Sequence, residues 1–93
     1  MKRALLIIAL AIPAVSSATE NNCPFIAKMA ESTMQLRQVG TTLGRALEIS
    51  PAILKPMVLD AYSFPRYATT DAQTRAIQDF RNVWELTCYK GQK

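Results

Sequence analysis

Residues 70–88 read TDAQTRAIQDFRNVWELTC. Ala76, Ile77, Phe80, Val83, Trp84, Thr87 and Cys88 recur at intervals of three and four, the rhythm of a helix with one buried stripe. Thr70, with Gln73 three residues on, matches a capping box at its start. Asp71 and Arg75 sit four apart on the other side, a favourable pair on a helix surface. This stretch predicts one long amphipathic helix that ends at a cysteine.

Working outward, the next clear segment runs from Pro24 to Val39. Asn22 or Cys23 can cap it, and Pro24 suits a first helical turn. Phe25, Met29, Leu36 and Val39 form the expected buried stripe, flanked by Ile26 and Ala30. Gly40 stands where a C-terminal glycine belongs. A short helix follows over residues 42–49, with Thr41 as cap and Leu43, Ala46 and Leu47 buried. Gly44 weakens it, since glycine costs about 1 kcal/mol against alanine inside a helix. Ser50-Pro51 opens a third helix. Pro56 has no N–H and crowds the carbonyl four residues back, which predicts a kink or a true start near Lys55. Val58, Leu59, Ala61 and Tyr62 continue the segment until Pro65 stops it, and residues 63–70 are irregular. No segment alternates with period two for long enough to make a strand. The fold class is therefore all-α, a small antiparallel bundle of about four helices.

The chain has two cysteines, Cys23 at the start of the first helix and Cys88 at the end of the last. If those helices pack antiparallel, the two ends meet and one disulfide staples the bundle. A core this small rarely supplies more than about 3–5 kcal/mol, and the bridge adds about 4 kcal/mol on chain-entropy grounds. Redox pairs usually show Cys-x-x-Cys spacing, which is absent here.

The N-terminus fits an oxidising compartment. Lys2 and Arg3 form a short positive region, Ala4 to Val15 is apolar apart from Pro13, and Ser16-Ser17-Ala18 supplies small residues for cleavage after Ala18. That is the pattern of a secretory signal peptide, and the run is too short to span a membrane. Thr19, not a cysteine, follows the cleavage point, which argues against lipidation. The expected organisation is a signal peptide over residues 1–18 and one helical domain over 19–93, exported to the periplasm or secreted. No stable membrane span is expected after cleavage.

Of 93 residues 49% are hydrophobic, and the formal charge is +4. Lys2 and Arg3 carry half of that net charge, so the mature chain is only mildly basic. Nucleic acid is a poor partner for such a surface. There is no histidine, which removes the commonest general base and the usual zinc ligand. No glycine-rich phosphate loop is present. Glu31, Glu48, Asp60, Asp71, Asp79 and Glu85 are not paired on one helical face, and each reads as a solvated charge. Lys28 with Glu31, and Arg81 with Glu85, read as surface pairs worth a few tenths of a kcal/mol. No metal, cofactor or enzymatic activity is expected.

Two clusters have the composition of a binding surface. Arg37 and Gln38 close the first helix. Arg37 suits either a partner's carboxylate or the helix's own terminal carbonyls. Tyr62, Arg66 and Tyr67, within Tyr62-Ser63-Phe64-Pro65-Arg66-Tyr67, are of the types enriched at hot spots. The competing structural reading has Tyr62 and Phe64 sealing the core and Arg66 stacked on a tyrosine. Trp84 reads as core, and Met29, Met34 and Met57 as core fillers.

Three blocks occur in order between or at the cysteines: Met34-Gln35-Leu36-Arg37-Gln38-Val39-Gly40, then Ala61-Tyr62 with Pro65-Arg66-Tyr67, then Ala76-Ile77, Phe80, Asn82 and Cys88. In these the chain resembles a group of short exported proteins from bacteria and their prophages. The resemblance covers most of the mature chain. It implies a small secreted helical domain with no assigned activity and no catalytic residues. The expected function is a non-enzymatic periplasmic protein-interaction module of the inhibitor, immunity or lysis-control type, its protein partner unidentified. The alternative is a small periplasmic stress chaperone, which shares the size, helical content and single staple.

Overall fold

The computed structural model describes residues 22–91. The expected signal segment, its cleavage point and the start of the mature domain lie outside these residues. Four α-helices follow in order: α1 Asn22–Gln38, α2 Leu43–Ile49, α3 Lys55–Tyr62 and α4 Thr70–Lys90, with a 3₁₀ turn at Ala52–Leu54 before α3. No strand forms among the described residues. Helix α1 lies antiparallel against α4, and α3 packs beside α1.

The disulfide joins Cys23 to Cys88, with Cα atoms 5.6 Å apart and a sequence separation of 65. It ties the first turn of α1 to the last turns of α4. That tie also fixes the rotation of α1. Cys23, Ala27, Ala30, Met34 and Gln38 are all buried and follow a three-and-four spacing. The expected stripe of Phe25, Met29, Leu36 and Val39 is corrected: Phe25 and Val39 are exposed, and Met29 and Leu36 only half-buried. Fully buried alanines at 27 and 30 leave room for a neighbouring helix, whereas the face bearing Phe25 would hold it off.

The core is Ala30, Met34, Met57, Ala61 and Phe80, with Ile26, Met29, Leu54, Tyr62, Ala76, Ile77 and Trp84 packed around it. Unbranched Met34 and Met57 fill the space that the alanines leave. Thr33, also buried, satisfies its hydroxyl by donating to the Met29 carbonyl at 2.7 Å. On α4 the buried stripe is narrower than its sequence suggests. Val83 and Thr87 face outward and Trp84 is half-buried.

Proline chemistry explains the break before α3. A continuous α-helix from Ala52 would need an N–H from Pro56, which has none. Lys55 donates to the Ala52 carbonyl instead. The resulting 3₁₀ turn hands over to α3 at Lys55, one of the two expected outcomes. Ser50 does not open this helix; it closes α2, its N–H donating to Ala46.

Three expected caps move. Thr42, not Thr41, caps α2, accepting from the Arg45 N–H at 3.2 Å. Thr69, not Thr70, caps α4, accepting from the Ala72 N–H at 3.2 Å. Asn22 and Cys23 are already helical, so neither caps α1. Leu43 is more exposed than expected; Ala46 is the buried residue of α2.

Candidate functional site

Helix α1 ends where the glycine predicts. Gly40 adopts φ +92°. Thr41 N–H reaches the Leu36 carbonyl at 3.0 Å and Gly40 N–H the Arg37 carbonyl at 3.2 Å, the Schellman pairing. The chain then returns through α3 to bring residues 62–67 against this end.

Gln38 sits at the centre of that junction, 1% exposed. Its Nε2 donates to the Pro65 carbonyl at 3.0 Å, and its Oε1 accepts from the Tyr67 N–H at 2.8 Å. Arg66 Nε donates to the Gln38 carbonyl at 2.9 Å, placing a cation at the negative end of α1. Arg37 Nε donates to the Phe64 carbonyl at 2.9 Å, and its guanidinium lies 5.3 Å from the centre of the Tyr62 ring. The Tyr62 hydroxyl donates to the Thr41 carbonyl at 2.6 Å. Burial raises the pKa of that hydroxyl, with the Arg37 charge opposing. Gln73, on α4, donates to the Tyr67 carbonyl at 2.7 Å.

The structure thus brings all five candidate binding residues, Arg37, Gln38, Tyr62, Arg66 and Tyr67, to one end of the bundle. Arg37, Gln38, Tyr62 and Arg66 use their side chains within the molecule. The two arginines exchange the roles expected of them: Arg37 stacks on a tyrosine, and Arg66 caps α1. The first two blocks of the resemblance are the two halves of this clasp.

Tyr67 has a second face. With Phe64, Phe80, Ala76 and Val83 it lines a groove of about 130 Å³ between the α3–α4 loop and α4, with Asp60 and Asp79 at its edges. Phe64 meets Phe80 edge-on, ring centres 5.8 Å apart, and Phe80 contacts Trp84 at 6.2 Å. Trp84 Nε1 donates to Asp60 Oδ2 at 2.9 Å, which positions that carboxylate. The groove opens into a second depression of about 290 Å³, lined by Tyr67, Thr69, Asp71, Ala72, Arg75, Ala76 and Asp79.

Sequence reasoning missed Asp60, Asp79 and Val83 as groove residues. The carboxylates read as isolated surface charges, and Val83 read as core. The only available signal was the aromatic loop, which does supply Phe64 and Tyr67. Among the described residues no group of three or more histidine, cysteine or carboxylate side chains is placed to hold a metal. No helix among them is long and apolar enough to cross a membrane.

The fold and site together define a disulfide-stapled helical domain with an open aromatic groove. Comparison with family models, with curated proteins and with solved structures gave no match. The resemblance to short exported bacterial and prophage proteins therefore rests on the three residue blocks alone.

Proposed function

We propose that the chain is an exported, non-enzymatic protein-binding module that works in the periplasm and docks its partner on the groove between the α3–α4 loop and α4. The observation that carries this reading is the set Phe64, Tyr67 and Val83, apolar and exposed around a depression floored by Phe80. Aromatic side chains on a pre-formed surface lose little entropy on binding, and such pockets are where hot spots cluster. The staple at one end and the clasp at the other hold α1 and α4, which supports a rigid docking face. A disulfide and the predicted signal peptide support export. The inhibitor, immunity and lysis-control types all fit such a module.

A photo-crosslinking amino acid at Val83 tests this in exporting cells. The expected result is one discrete crosslinked protein from position 83 and none from Glu48, an exposed position on α2. Equal labelling from both positions, or none from either, counts against the proposal.

A further inference from the structure

We infer that the groove takes a cationic segment of a partner protein, with an apolar side chain seated on Phe80 and a neighbouring lysine or arginine held between Asp60 and Asp79. This deepens the protein-binding reading and rests on it.

The two depressions share Tyr67, Ala76 and Asp79, so they form one trough along α4. The smaller lobe, about 130 Å³, suits a single side chain; a cavity of ~150 Å³ holds a benzene-sized group. Its floor and walls are apolar, but its edges are not. Asp60 stands on the α3 side and Asp79 on the α4 side, with Asp71 further along. Arg75 is the one cation lining either lobe. Among the described residues the ion pairs are Arg45–Glu48 and Arg81–Glu85, so none of the three trough carboxylates is neutralised by a salt bridge.

The surface is thus locally acidic on a chain whose net charge is positive. A cation entering it meets the carboxylates together with the aromatic rings of Phe64 and Tyr67 in the same lining, an environment that favours guanidinium and ammonium groups. An anionic segment meets three carboxylates against the single cation of Arg75. The positive net charge gives a basic partner no long-range attraction, so recognition here is short-range and sensitive to salt.

The Trp84 indole N–H is a built-in reporter, because it donates to Asp60. The test is an NMR titration of the oxidised protein with a capped Arg-Leu-Arg peptide and with a capped Glu-Leu-Glu peptide. The expected result is that only Arg-Leu-Arg shifts the Trp84 indole together with the Val83 and Asp79 amides. The double variant Asp60→Asn, Asp79→Asn should bind it about fivefold to tenfold more weakly, the scale of two exposed ion pairs. Both carboxylates are exposed, and asparagine still accepts the indole bond, so the variant keeps the fold. Equal binding of Glu-Leu-Glu, or undiminished binding by the double variant, overturns the cationic preference while leaving a protein-binding groove. No binding of either peptide also overturns it, and crosslinking from position 83 then judges the broader reading separately.

Discussion

Replacing Gln38 by glutamate changes one atom group at the centre of the clasp. Oε1 continues to accept from the Tyr67 N–H, but the donor to the Pro65 carbonyl is gone. A carbonyl left without its donor in a partly buried site costs about 1–3 kcal/mol. The new carboxylate is also buried against backbone oxygen, which adds to the cost. Together these predict a loss of about 2–4 kcal/mol at pH 7, a fall in Tm of roughly 10–25 °C for a domain of this size. The pH dependence has a definite sign. Burial raises the folded-state pKa of the introduced carboxyl above its unfolded value of about 4.3. The variant is therefore closest to wild type below that pH, where the protonated group again donates to Pro65, and it loses stability as pH rises through the folded pKa. Thermal melts by circular dichroism at pH 7 and pH 3.5 check both points. Gln35→Glu, one turn away and exposed, is the control and should shift stability by no more than about 0.5 kcal/mol. A Tm change at pH 7 no larger than the control's, or a deficit that does not shrink in acid, would refute the assignment of Gln38 as the keystone of the junction.

Gly40 and Gly44 predict opposite outcomes. At Gly40, with φ +92°, an added Cβ lies 3.1 Å from Arg66 Cζ, so Gly40→Ala should cost about 1–3 kcal/mol. At Gly44 nothing stands within 4 Å of the added carbon, so Gly44→Ala should stabilise by up to about 1 kcal/mol; urea midpoints measure both. Reducing the disulfide frees a 65-residue separation and should remove about 4 kcal/mol. A Tm unchanged by reductant would show that helix packing alone sustains the fold.

Helix content was legible because prolines, a terminal glycine and three-and-four spacing act within a few residues. The staple was legible because the chain has two cysteines, one at each outer end of the first and last helices. Pro56 set the start of α3 through its missing N–H and the bulk of its ring. The buried face of α1 was not legible in the same way. Hydrophobic size favours Phe25 and Val39, but close approach needs Ala27 and Ala30, and the bridge at Cys23 selects that face. The caps slipped by one because threonine occurs in pairs, Thr41-Thr42 and Thr69-Thr70, and only the backbone path chooses between equal side chains. The clasp was visible as residue types but not as partners. Arg66 finds the Gln38 carbonyl 28 residues away, a choice made by how α3 returns the chain rather than by any local pattern. The groove was least legible, since Asp60 and Asp79, 19 positions apart, come to line one groove only through the tertiary fold.

The proposed exported domain is closed by a covalent bond at one end and a hydrogen-bonded clasp at the other, with the groove left for a partner. Its most direct test is the intact mass, without reductant, of the protein recovered from the periplasmic fraction. The expected species is a chain of residues 19–93 lacking the two thiol hydrogens of the reduced form. A full-length chain beginning at Met1, with both thiols free to alkylation, would contradict it.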